Sequence, residues 1–120
     1  MLLELDKDVE LKIIDLALAH IKKVETDPEV KTDGDNFDYW NSFKLEDGSY
    51  VDYNIYCGDD FCQTNDQTGD WEYTDPSEWS WSVACYGVDP PKEEGGYQQV
   101  NMDIAKFLFH YNNGKITYED

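Results

Sequence analysis

Between Phe37 and Cys57 the side chains change character at every second position, and a single Asp-Gly step interrupts the pattern. Phe37, Tyr39, Asn41, Phe43 and Leu45 alternate with Asp38, Trp40, Ser42 and Lys44. After Glu46-Asp47-Gly48, Val51, Tyr53, Ile55 and Cys57 alternate with Tyr50, Asp52, Asn54 and Tyr56. A period of two sends neighbouring side chains to opposite faces of a strand. Asp-Gly between two such runs supplies the left-handed residues of a tight hairpin turn. The chain is therefore committed to an antiparallel sheet with one dry face, and a second layer has to cover that face.

The N-terminal segment offers the cover. From Asp6 to Val24, apolar residues fall at Val9, Ile13, Leu16, Ala17 and Val24, and Leu11, Ile14, Leu18 and Ile21 widen the stripe. This spacing predicts a helix, with Asp6 or Asp8 as cap and Lys22 and Lys23 at the end where the dipole favours cations. Residues 25–36 hold five acids, one Lys, one Pro and one Gly, which reads as a solvated connection. Residues 58–70 read as a long polar loop. A further strand is expected from Glu78 to Tyr86, with Trp79, Trp81, Val83 and Cys85 opposite Ser80, Ser82, Ala84 and Tyr86. Asp89-Pro90-Pro91 then opens a second loop, through Gly96. Near the C-terminus, Asn101 is a cap, Ile104, Phe107, Leu108 and Tyr111 recur at helical spacing, and Gly114 is a stop, so residues 101–113 are expected to be helical. The competing strand reading puts Phe107, Phe109 and Tyr111 on one face and makes Asn113-Gly114 a turn into Ile116-Thr117-Tyr118. The expected fold class is α+β, a small single domain over residues 1–120. It would hold an antiparallel sheet of three to five strands, an N-terminal helix and a shorter C-terminal helix.

Charge narrows the function. The 27 acids outnumber the 9 Lys+Arg by 18, giving a net charge of −18, and every basic residue is Lys. The aromatic share of 15% argues for a folded domain under an acidic coat, since disordered chains are poor in aromatics. A like-charged protein does not bind a nucleic acid or an anionic membrane directly. The start Met1-Leu2-Leu3-Glu4 carries neither a basic leader nor the roughly 20 apolar residues of a membrane span. Three cysteines are an odd count, and Cys57 and Cys85 fall in apolar runs as small buried hydrophobes. The expected setting is the reducing cytoplasm, of a host cell if the chain is phage-encoded.

No glycine-rich phosphate loop, nucleophile elbow or paired-cysteine zinc motif is present. His20 lies in the helix stripe, where a satisfied core imidazole is expected, and His110 sits at the end of the expected second helix. A cysteine–histidine dyad on Cys62 would rest on spatial proximity alone. Two clusters, Asp33 to Asp38 and Asn65 to Asp70, gather oxygen ligands around a Gly but miss the EF-hand spacing, so both read as solvated loops. No catalytic residue, metal ligand or cofactor is expected.

The aromatic surplus is more telling. Trp40 and Tyr56 fall on the hairpin face opposite the core, among Asp38, Asp52 and Asn54, a setting that interface anchors favour. The recognition surface is expected on that face and the acidic loops: Asp33, Asp35, Asp38, Trp40, Asp52, Tyr56, Asp59, Asp60, Asp66 and Asp70. In size, charge and want of catalytic motifs the composition is similar to that of phage-encoded inhibitors of host defence, including DNA-mimicking anti-restriction and anti-CRISPR proteins. The resemblance implies a non-catalytic inhibitor docked on the basic, nucleic-acid-binding surface of another protein. The immunity proteins that neutralise bacterial nuclease toxins share these traits. A module binding a glycan or calcium is the alternative from another class.

Overall fold

The structure, a computed structural model, describes residues 5–30, 35–46, 48, 50–89 and 105–118. Helix α1 (Lys7–Thr26) begins where Asp6 accepts the backbone N–H of Asp8 at 2.9 Å. Asp8 and Glu10 lie in its first turn and Lys23 in its last, as the helix dipole favours. Its buried residues are Ile13, Ala17, His20, Ile21 and Val24, a stripe narrower than the apolar spacing suggests. Leu11 and Leu16 stay exposed.

Among the described residues seven strands follow: β1 (Asp38–Lys44), β2 (Tyr50–Cys57), β3 (Cys62–Thr64), β4 (Trp71–Tyr73), β5 (Ser80–Asp89), β6 (Lys106–Asn112) and β7 (Lys115–Tyr118). Five form one antiparallel sheet in the order β1-β2-β5-β6-β7, and β3 pairs with β4 in a separate ribbon. The β1–β2 hairpin forms as the alternation requires, with Tyr39 opposite Ile55 and Phe43 opposite Val51, and Gly48 holds φ +89° in its connection. Helix α1 lies on β2, β5 and β6. Beneath it are Val51, Tyr53, Ile55, Cys57, Trp81, Val83, Cys85 and Phe109, all buried. Fully burying each large apolar side chain contributes about 1.5–3 kcal/mol, so this layer carries most of the stability. Glu10 of α1 pairs with Lys106 of β6, and Lys12 stands 4.8 Å from the centre of the Phe43 ring.

Three expectations are corrected. Where the helical spacing suggested a C-terminal helix, residues 106–118 form the β6–β7 hairpin. Its turn is Asn113-Gly114, with φ +47° and +82°, the signs a type I′ turn demands. The helical signal arose from a β-bulge. Val83 faces Phe109 but Ala84 faces Phe107, so Leu108 is the extra residue, and it and Phe109 both turn into the core. Two adjacent apolar residues on one side erase the period of two.

The expected loop at 58–70 contains a 3-10 turn (Asp59–Phe61) and strand β3, and it turns into β4 through Gly69 at φ +76°. Strands of three residues are too short to show a period. Strand β5 starts at Ser80 instead of Glu78, because Pro76–Glu78 is a second 3-10 turn capped by Asp75. Asp89 closes β5, and the rest of the expected second loop, residues 90–96, lies outside the described residues together with Asn101 and Asp33.

Candidate functional site

One face of the five-stranded sheet meets α1. The other carries Asp38, Trp40 and Ser42 of β1, Asp52, Asn54 and Tyr56 of β2, Ser82, Ala84 and Tyr86 of β5, and Phe107 and His110 of β6. The register sets this membership: Asp38 faces Tyr56, Trp40 faces Asn54 and Ser42 faces Asp52. A row of rings crosses this face. Trp40 and Tyr86 have centroids 5.1 Å apart, Tyr86 and Phe107 are 6.5 Å apart, and Phe107 stacks on His110 at 6.4 Å. Trp40, Tyr56 and Phe107 are each about two-fifths exposed, at 39%, 45% and 41%.

Trp40 and Tyr86 belong to β1 and β5, two strands apart and hence about 10 Å apart at the backbone. Their rings meet only by leaning over β2 between them. A second bulge assists. Asp52 faces Gly87 while Tyr53 faces Cys85, so Tyr86 is the extra residue and its ring is re-aimed. On β2 between them Asn54 lies opposite Trp40 and Asp52 is its neighbour on the same face, and they are only 6% and 5% exposed.

Their polar atoms are mostly satisfied. Asn54 donates through Nδ2 to Asp38 Oδ1 at 2.8 Å and to the Tyr39 carbonyl at 3.3 Å. The Ser42 hydroxyl donates to Asp52 Oδ1. Asp52 Oδ2 has no hydrogen-bond partner, alone among the buried side-chain oxygens and nitrogens of the described residues. Burial, and then the charge of Asp38, push the Tyr86 phenol above its ordinary value.

The chain leaves this face at Tyr56 and enters a second acidic area. Asp59, Asp60, Asp66, Asp70, Glu72, Asp75 and Glu78 are all exposed on the 3-10 turns and the β3–β4 ribbon. Aromatic packing pins this lobe to the core. Phe61 stacks on Phe37 at 3.9 Å, Trp79 meets Phe37 edge-on at 5.4 Å, and Trp79 Nε1 donates to Thr74 Oγ1 at 2.8 Å. Trp71, 54% exposed, stands edge-on to Tyr73 at 4.5 Å. The Tyr73 phenol is raised by burial and then by the charges of Glu29, Asp35 and Asp27.

Of the residues expected at the recognition surface, Asp38, Trp40, Asp52 and Tyr56 share the outer sheet face. Asp59, Asp60, Asp66 and Asp70 share the lobe, and Asp35 stands beside it. Asp52 is buried instead of presented. Glu72, Glu78, Tyr86 and Phe107 were not among the residues expected there: alternation already put Tyr86 on this face, whereas Phe107 reaches it only through the bulge at Leu108.

The remaining chemistry is modest. His20 Nε2 donates to the Asn36 carbonyl at 3.0 Å and the ring stacks on Tyr39, a satisfied core imidazole. Ser82 Oγ and His110 Nδ1 lie 3.1 Å apart beside a pocket of about 190 Å³. The described residues lining that pocket include Lys115 and no carboxylate to orient the ring. Cys57 and Cys85 are buried free thiols, and burial, with Asp60 and Glu25 nearby, pushes the Cys57 thiol up to about 12. In the Asn65–Asp70 cluster the Asn65 side-chain oxygen accepts the N–H groups of Gln67 and Thr68, which spends it on the turn. Among the described residues no three His, Cys, Asp or Glu side chains gather as a metal site, and no helix is long and apolar enough to cross a membrane. Compared with known proteins, the chain matches no family model, no curated protein and no solved structure.

Proposed function

We propose that the protein is a non-catalytic inhibitor that docks on the cationic, nucleic-acid-binding surface of a partner protein. The observation that carries the reading is the segregation of charge along the fold. Four of the nine lysines, Lys7, Lys12, Lys22 and Lys23, lie on α1. From Leu45 to Pro91 there are eleven acids and no basic residue, and this span builds β2, the lobe and β5. Duplex DNA presents about one negative charge per 1.7 Å of axis, and a channel built for it is lined with Lys and Arg. A folded domain that presents carboxylates and a few aromatic anchors competes for such a channel, and complementary fields speed its arrival. A nuclease toxin offers the same kind of surface, so the immunity-protein reading differs only in the partner.

The test begins with a lysate loaded on immobilised duplex DNA and eluted with the purified protein. A DNA-binding protein released as a complex with it is the expected result. The variant combining Asp59→Lys, Asp60→Lys and Asp66→Lys should bind that partner at least about tenfold more weakly, since it turns attraction into repulsion across the lobe. Its circular dichroism should match the wild type. A reversed variant that elutes and binds the same partner as well as the wild type would reduce the acidic lobe to a coat.

A further inference from the structure

We propose that the Trp40–Tyr86 ring pair and the neighbouring Asp52 carboxylate form a receptacle for one arginine side chain of the partner protein. The proposal deepens the reading of the chain as a ligand of cationic surfaces and rests on it. Three observations converge here. Asp52 is 5% exposed, and its Oδ2 has no hydrogen-bond partner, although Oδ1 is held by Ser42. A buried carboxylate oxygen left unpaired destabilises a fold unless a donor reaches it. The Trp40 and Tyr86 rings, 5.1 Å apart, bridge β2 at the neighbouring Asn54, one position along the same face, and Trp40 is 39% exposed to solvent. The rim is acidic, for Asp38, paired with Asn54, stands on the same face of β1 as Trp40.

These features select arginine over lysine. A guanidinium is planar, weakly hydrated and equipped with several N–H donors. It stacks on an indole or phenol face while one edge donates to a carboxylate, and cation–π attraction strengthens as water leaves. An ammonium is compact and strongly hydrated, so entering beneath a pair of rings costs it more. The incoming guanidinium would swing Trp40 aside, stack between it and Tyr86, and donate to Oδ2. The chain holds no arginine of its own, so the occupant comes from another molecule.

Hexa-arginine and hexa-lysine peptides, equal in charge, test this by titration followed through tryptophan emission and calorimetry at fixed salt. The wild type should bind hexa-arginine about fivefold more tightly than hexa-lysine. Asp52→Asn and Trp40→Leu should each shrink that preference to less than about twofold, whereas Asp66→Asn, which removes the same charge from the lobe, should keep it. Circular dichroism checks each fold, and Trp40→Leu, at the surface, carries the test if Asp52→Asn does not fold. Equal affinity for the two peptides, or a preference that survives both substitutions, overturns the receptacle and leaves the cationic-partner reading standing. Failure of both peptides to bind even at low salt overturns that reading itself.

Discussion

Burial of His20 between Tyr39 and Trp81 disfavours its charged form. The rings stack at 4.3 Å and meet edge-on at 6.4 Å, and desolvation lowers the imidazole below its ordinary value of 6.5; the Asn36 carbonyl opposes this shift and Lys23 adds to it. A histidine depressed in the folded state binds fewer protons there than when unfolded, so stability rises with pH across the window between the two values. Its contribution is complete above 6.5 and is lost as the pH falls below that. The wild type should therefore lose melting temperature relative to His20→Gln between about pH 7.5 and 5, because Gln keeps a donor for Asn36 without titrating. A difference that stays constant over that range would show that His20 does not titrate with folding. Glu25 has the opposite sign: burial raises it despite the Trp81 N–H, so its contribution fades as pH rises above 4.5, and it is common to both proteins. The role of His20 was legible in the sequence, since a histidine inside a helical apolar stripe has a core to enter. The burial of Asp52 was not. The rings that bridge β2 at the neighbouring Asn54 come from strands that are not neighbours, and a bulge lies at one of them.

At the scale of elements, legibility followed length and regularity. Helix α1 and the β1–β2 hairpin run long enough for a period to declare itself, and both form nearly as their spacing dictates. Strand β6 hides behind its bulge at Leu108, and β3 and β4 are held by Phe37, Phe61, Tyr73 and Asn65 more than by any pattern of their own. The β6–β7 turn now makes a local prediction. A Cβ at Gly114 would meet nothing within 4 Å, yet the φ of +82° is costly for any other residue. Gly114→Ala should cost about 1 kcal/mol in denaturant unfolding, with no change in slope. Gly58 has equal space and an extended backbone, with φ −68° and ψ −173°. Gly58→Ala should be neutral, or stabilise by up to about 1 kcal/mol, by narrowing the unfolded ensemble. Equal losses at the two sites would remove backbone strain as the cause.

For the whole molecule the net charge of −18 sets two responses to salt with opposite signs. Exposed like charges repel one another in the folded state, and the Debye length shrinks from about 30 Å at 0.01 M to about 10 Å at 0.1 M salt. Added sodium chloride should raise the melting temperature and, between about 50 and 200 mM, weaken the complex with the cationic partner. An affinity flat over that range would point to an apolar interface. The charge was readable at once, and so was the lysine-free span from Leu45 to Pro91; that part of this span folds as a separate β3–β4 lobe was not. The indoles are divided as well. Trp79 and Trp81 are sealed in the core with their N–H groups donating to Thr74 and Glu25, while Trp40 stands on the sheet face and Trp71 on the lobe. The protein thus carries a pair of optical gauges in its two acidic areas, read against an interior pair that burial shields from dissolved quenchers. Caesium, concentrated by the surrounding field, reaches the surface indoles, and iodide is held off by that same field.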